Sequence, residues 1–491
     1  MLRLAALLIG AAFLSGQPAT PARRIVVISD LHMGPGRDAS GNWHPYEDFR
    51  WRDEFMAFLD ALNAQGGNIE LVINGDLFEL LQSPDVPCAF ADGIAGCTDD
   101  EALQRLLIAS RAHAMELAAI GRFASSRSNR VFILPGDHDA ALLMPRVWQR
   151  ALAAFGAAPD RVQLVPSGSW RSGDGRVHVE HGHQLPLSAD RFLKWPSPFI
   201  TDRGRTRLER PWGEYALLPF YDRVEVRYPI VDNLAEEGVG AKFVAAADSA
   251  AVQDPTAMLR LLLTKTTWQQ FRMDLDDGEV QAPQWELKKI RADLSAFVST
   301  SLPGDDPFAA NVKKLSASEL GEVGAALTDQ QIVAVCDYRA AIRRARRRME
   351  RVLTQLSGVG APMTECPRTP DTVGSAFEYY WRSRDQQIVQ HIPHAKDLDL
   401  IVLGHTHLLD RPFRPLGENG PAVVTSGAWQ RTIHPNDLKA IDAPLESLPA
   451  CYSFVEIAAG APTTRALRGG VEARSWRLND QQQWSMTNGG C

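Results

Sequence analysis

The chain has 491 residues, 45% of them hydrophobic and 23% charged, with 37 Gly and 31 Pro. That length exceeds one typical core, so two domains or one large domain with a long insertion are expected, and the composition excludes a collagen-like or wholly disordered chain. A net charge of −7, from 52 basic and 59 acidic residues, gives no general attraction to nucleic acid or anionic membranes. Any polyanion site must be local, and no nucleic-acid partner is expected.

Residues 1–22, MLRLAALLIGAAFLSGQPATPA, combine Arg3, an apolar run of about 11 residues and small residues up to Ala19 or Ala22, the pattern of a secretory signal peptide. The run is shorter than the roughly 20 apolar residues a membrane helix needs, and no later segment reaches that length. An exported protein, periplasmic or secreted, with no transmembrane segment after signal cleavage is expected. Six cysteines suit an oxidising compartment. Cys88 and Cys97 bracket the loop CAFADGIAGC and form the best pair; Cys336, Cys366, Cys451 and Cys491 are not paired by spacing.

Short apolar runs follow, each ending abruptly in polar residues: IVVISDLH from Ile25, LVINGD from Leu71, VFILPGDHD from Val131, VHVEHGH from Val177 and LIVLGHTH from Leu400. Runs of this length suit strands buried on both faces. Between the first three lie helical patterns. Phe55, Phe58, Leu59 and Leu62 keep the core-facing spacing over residues 48–65, and Leu103, Leu106, Leu107, Leu117 and Ile120 over residues 100–125. Alternating strands and helices imply an α/β sheet whose polar strand ends collect along one edge. AVVTSG from Ala422 and YSFVEIA from Tyr452 are expected to complete a second sheet. The expected organisation is a signal peptide (1–22), a first catalytic part (23–195), a mostly helical cap insertion (196–395), a second catalytic part (396–460) and a C-terminal extension (461–491).

The strand ends carry Asp30 and His32, then Asp76, then Asp137, then His181, then His405 and His407. Carboxylate and imidazole suit Mn, Fe or Zn, and these ligands exceed what one ion needs. Two metal ions sharing one carboxylate are the economical arrangement.

The ordered motifs D-x-H, G-D, G-D-H-D, H-G-H and G-H-T-H resemble those of the calcineurin-like metallophosphoesterase family over residues 24–195 and 396–430. The resemblance implies a four-layer α/β/β/α sandwich holding two metals about 3.5 Å apart. Asp30, His32, Asp76 and His407 would hold one ion; Asp76, Asp137, His181 and His405 would hold the other, with Asp76 bridging. A metal-bridging hydroxide would attack phosphorus of a phosphate ester or phosphoanhydride. His138 would stabilise the transition state or protonate the leaving oxygen, and Asp139 is expected to accept a hydrogen bond from His138. The substrate expected is a phosphorylated small molecule or a lipid-linked one.

The family pattern has Asn where this chain has Asp137. Two divalent ions facing three carboxylates leave a formal charge of +1 rather than +2, and one charge at ~4 Å is worth up to roughly 4 kcal/mol at an effective dielectric near 20. A trivalent second ion, a singly charged diester or pyrophosphate-linked substrate, or an Asp oxygen simply replacing the Asn oxygen are the open consequences. GDLFE, from Gly75 to Glu79, is also similar to the UDP-diacylglucosamine pyrophosphatase branch, but that branch is shorter, cytoplasmic and has Arg at the position of His138, so its substrate is not carried over.

His183 either approaches the metals or supports them from behind. Trp43 and His44 stand near the first ligand pair as candidates for the substrate entrance. The five arginines from Arg343 to Arg348 form a solvated helix face or hold an acidic head group. DLDDGE at 274–279 lacks the ligand alternation of a calcium loop. His113, His391 and His394 fit structural or surface roles. A non-catalytic metal-dependent binding or scaffold protein is the alternative function. A (β/α)8 amidohydrolase lacks the strand spacing it would need.

Overall fold

The structure, a computed structural model, describes three stretches: residues 23–233 except 67, 84, 89–94, 186–189, 212–213, 215–221 and 223; residues 316–317; and residues 388–491 except 408–413, 417–419, 434–436, 459–470 and 490. The expected signal peptide, the arginine run, the loop at 274–279 and most of the expected insertion lie outside these residues.

In chain order the strands are β1 (Arg24–Ile28), β2 (Ile69–Asn74), β3 (Ala95–Thr98), β4 (Arg130–Leu134), β5 (Val162–Leu164), β6 (Ser169–Arg171), β7 (Val177–Glu180), β8 (Phe199–Asp202) and β9 (Arg205–Glu209). β10 (Leu400–Leu403), β11 (Arg414–Pro415), β12 (Ala422–Thr425), β13 (Cys451–Ile457), β14 (Val471–Leu478) and β15 (Trp484–Asn488) follow. The helices are α1 (Arg52–Ala64), α2 (Asp99–Ala112), α3 (Ala114–Ser125) and α4 (Pro145–Phe155).

A mixed α/β architecture results. One sheet has the order β15-β14-β13-β1-β2-β4-β5, a second β11-β12-β10-β7-β6, and a small third β3-β9-β8. β1, β2, β4 and β5 run parallel, as do β7, β10 and β12. Successive side chains of a strand point to opposite faces, so Ile25 and Val27 enter one core while Val26 and Ile28 enter another. The first core joins the two sheets through Val72, Leu134, Val179, Val402 and Val424. The second lies between the seven-stranded sheet and the helices.

α1 shows how sequence sets that second core. Phe55, Phe58, Leu59 and Leu62 are its buried face, and burying each such side chain contributes roughly 1.5–3 kcal/mol. Phe55 and Phe58 meet the fully buried Trp429 at ring distances of 4.9 and 5.5 Å. The expected single helix over 100–125 is two, α2 and α3, separated at His113. Thr98 and Glu101 form a capping box at the start of α2, which satisfies amides that the first turn leaves open.

Three expectations change. The YSFVEIA run forms β13, which pairs antiparallel with β1 in the first sheet, whereas AVVT forms β12 in the second. The stretch expected as an extension after 460 supplies β14 and β15 to the first sheet, and Cys491 is disulfide-bonded to Cys451. The expected insertion opens with the β8–β9 hairpin, which pairs with β3, so the boundary at 195 does not coincide with a change to helix. Cys88 and Cys97 form the expected disulfide. Among the described residues no helix is long and apolar enough to cross a membrane.

Candidate metal centre

The C-terminal ends of β1, β2, β4, β7 and β10 point their following loops at one place. Asp30, His32 and His407 form one group, and Asp76, Asp137, His181 and His405 another; within each group a ligand atom of every residue lies within 4.8 Å of the others. A third such group, His32, Asp76 and His138, overlaps the first at His32 and the second at Asp76. His181 Nε2 lies 2.8 Å from Asp76 Oδ2, 3.1 Å from Asp137 Oδ1 and 3.9 Å from Asp30 Oδ1. His407 Nε2 lies 3.5 Å from Asp30 Oδ1 and 3.2 Å from His32 Nε2.

The backbone is unusual where these side chains converge. Asp30, His32, Asp76, His405 and His407 all adopt left-handed φ, between 51° and 72°. Such conformations cost non-glycine residues free energy and persist when surrounding structure enforces them. Two glycines permit the close approach. A Cβ on Gly136 would stand 2.1 Å from Asp76 Oδ1, and one on Gly75 would stand 2.3 Å from His181 Nδ1.

Behind the ligands, hydrogen bonds fix which nitrogen faces the centre. His181 Nδ1 donates to the Asn74 carbonyl at 2.8 Å, and His32 Nδ1 donates to Glu79 Oε2 at 3.3 Å. Each leaves Nε2 with its lone pair forward. His405 Nδ1 lies 3.2 Å from Asp137 Oδ1, and its Nε2 lies 3.5 Å from Asp190.

This donor set fits metal ions. Asp30, Asp76 and Asp137 are at most 3% exposed, and their side-chain partners among the described residues are histidines. Buried carboxylates and forward lone pairs repel one another unless positive charge lies between them. Burial works against a charged His181, yet Asp76 and Asp30 hold its imidazole well above the ordinary value; burial likewise opposes a charged His405, yet Asp137 and Asp190 raise it to about 9. The acids thus draw positive charge into the centre, the charge that a bound cation supplies.

His138 stands at the rim with 16% of its side chain exposed. Its expected partner is corrected. Asp139 instead accepts the N–H groups of Gly136 at 2.7 Å, Leu77 at 2.9 Å and Phe78 at 3.3 Å, tying the loop after β4 to the loop after β2. Burial and the neighbouring Asp76 push the Asp139 carboxyl up to about 7. The partner of His138 Nδ1 is Glu79 Oε2, in a short hydrogen bond. Burial alone would raise the Glu79 carboxyl, but His138 and then His32 hold it well below the usual range. Glu79 is the residue that sequence reasoning missed. Its signal was its place three residues past Asp76 in GDLFE.

His183 is buried, and burial lowers it to about 3, against the pull of Asp137. Its Nδ1 comes within 4.0 Å of Asp137 Oδ1, outside both ligand groups. Trp43 lies beneath the Arg37 guanidinium at 3.7 Å, and His44 Nδ1 accepts the Tyr46 N–H; neither joins a ligand group. His113 is buried between Glu47 and Glu116, His391 pairs with Glu180, and His394 pairs with Asp397 at the surface.

Comparison with known proteins agrees with this geometry. No curated protein matches the chain. Residues 23–233 match the family model described as calcineurin-like phosphoesterase, a span that supplies Asp30, His32, Asp76, Asp137, His138 and His181. Over that span the chain is similar to the calcineurin-like phosphoesterase family.

Proposed function

We propose that the protein is a binuclear metal-dependent phosphoesterase that hydrolyses a phosphate ester or phosphoanhydride. The observation that carries this reading is the pair of buried ligand groups, linked through Asp76 and His32, with His138 beside them. Asp30, His32, Asp76 and His407 would hold one ion and Asp76, Asp137, His181 and His405 the other, with Mn, Fe or Zn suited to these donors. When bound, two such ions neutralise phosphoryl oxygens and acidify water at the site.

The chain's own residues then orient and move the proton. Glu79 holds Nδ1 of His138, which keeps the imidazolium charged and turns Nε2 toward Asp137, 3.7 Å away. From there Nε2–H protonates the leaving oxygen, a contribution of typically 10²–10⁴-fold. The Gly136–Asp139 and Leu77–Asp139 bonds keep the two loops in register, so this donor stays fixed relative to Asp76. The helical residues near 388–397, against the outer face of the second sheet, are read as the fourth layer of the sandwich.

The test uses the full chain, stripped with chelator, reloaded with Mn and assayed on p-nitrophenyl phosphate and bis-p-nitrophenyl phosphate, with metal counted by mass spectrometry. Two ions per chain and metal-restored turnover of either ester are expected. Two bound ions with no hydrolysis of any phosphate ester or anhydride would favour a non-catalytic binding protein.

A further inference from the structure

The electrostatics of the centre carry an inference about substrate charge that rests on the phosphoesterase reading above. Asp137 is 3% exposed and touches both histidines of its group, at 3.1 Å and 3.2 Å. It also lies 3.7 Å from His138 Nε2, the proton donor. Its charge therefore sits within the ligand group and beside the proton donor. With Asp30 and Asp76 it makes three carboxylates against two divalent ions, a formal charge of +1 while the attacking water still holds both protons.

The nearest further positive charge is already matched. His138 is neutralised by Glu79. Beyond Glu79 the carboxylates outnumber the buried guanidinium near them, Arg105, which acts on Glu79 and Asp222: the Gln82 N–H donates to Glu79 Oε1 at 2.8 Å, and the Gln82 side-chain amide donates both to Asp222 Oδ1 at 3.2 Å and to Glu225 Oε2. Three carboxylates converge on one glutamine on the His138 side of the centre. A singly charged phosphodiester brings the metal site to neutrality. A doubly charged monoester overshoots it, and a phosphoanhydride would bring extra negative charge to the acidic wall.

We infer that Asp137, with the wall of Glu79, Gln82, Asp222 and Glu225, selects a singly charged phosphodiester with a neutral leaving alcohol. In the reaction one water is consumed. Its oxygen bonds to phosphorus as the bond from phosphorus to the leaving oxygen breaks, His138 gives that oxygen its proton, and the proton lost by water restores His138. The products are a phosphomonoester and an alcohol.

The experiment uses the Mn-loaded full chain and two readouts. Calorimetry compares dimethyl phosphate, a monoanion, with methylphosphonate, a dianion at pH 8.5. Steady-state kinetics compares bis-p-nitrophenyl phosphate with p-nitrophenyl phosphate. The wild-type chain is expected to bind dimethyl phosphate at least as tightly as methylphosphonate, and its kcat/KM should favour the diester by about 10-fold or more. Asp137→Asn should tighten methylphosphonate and lower the diester-to-monoester ratio, each by about 10-fold. Asp222→Asn, which leaves the ligands intact, should move both in the same direction by about 3-fold. A wild-type chain that binds the dianion more tightly and prefers the monoester overturns the inference. So does an Asp222→Asn chain with unchanged ligand preference, should Asp137→Asn lose metal. A wild-type chain that holds fewer than two ions and cleaves neither ester removes the phosphoesterase reading itself, and this inference with it.

Discussion

The two sheets meet at one site but bring different chemistry to it. Loops after β1, β2 and β4 of the seven-stranded sheet supply every carboxylate of the two candidate ligand groups, Asp30, Asp76 and Asp137, together with His32 and the His138–Glu79 pair. Loops after β7 and β10 of the five-stranded sheet supply imidazole alone, His181, His405 and His407. Negative charge is thus concentrated on one sheet and imidazole nitrogens on the other. The lesson is that the first sheet sets how much positive charge the centre attracts, while the second sets where that charge sits.

That division can be broken most severely at Asp76, which links the groups. Asp76→Asn should abolish binding of both proposed ions, and cut turnover by about 10³-fold or more. His407→Ala, on the second sheet, should leave one ion in place. Equal metal loss in the two variants would remove the distinction between the sheets.

The next effect concerns the proton. His138→Asn should lower kcat by about 10²–10⁴-fold with metal content retained, and the loss should be smaller for an activated leaving group such as p-nitrophenolate than for an alkyl alcohol. Glu79→Gln should cost less, about 10–100-fold. It should also move the alkaline limb of the pH profile downward, because His138 loses the carboxylate that favours its charged form. A Glu79→Gln profile identical to the wild type would mean that Glu79 only packs against the ring.

The smallest effect lies outside the centre and tests whether the first sheet's helical layer carries its own buried charge. Burial disfavours a charged His113, but Glu47 and Glu116 outweigh it and raise the imidazole to about 9. The unfolded value is near 6.5, so this stabilisation is complete below about pH 6.5 and is lost as pH rises through about 9. The thermal midpoint should fall between these pH values, by a loss of up to about 3 kcal/mol, and His113→Gln should flatten the fall.

Much of the centre was legible because its chemistry is written locally. An apolar run that stops at D-x-H or G-H-T-H declares both a buried parallel strand and what stands at its end, and all seven proposed ligands fall into the two groups of the structure. What sequence could not supply was pairing across long separations. His138 and Asp139 are neighbours in the chain, yet the turn after Gly136 sends the Asp139 carboxylate to the amides of Leu77 and Phe78 and leaves Glu79, from the loop after β2, to meet His138. The run at Tyr452 reads as an apolar strand in either sheet. Only its register with β1, Val27 opposite Val455, decides between them.

That register bears on the order in which the protein can be made. β1, among the first described residues, lies between β2 and β13, and β13 is held by the β14–β15 hairpin and the Cys451–Cys491 bond. Two ligands, His405 and His407, also arrive late in synthesis. A ribosome that has delivered β1, β2 and β4 has therefore produced a sheet whose β1 edge still awaits β13 and a carboxylate cluster lacking most of its histidines. Contacts this distant in sequence form slowly, so acquisition of metal and final closure of the sheet are expected together, after the last fifth of the chain has emerged.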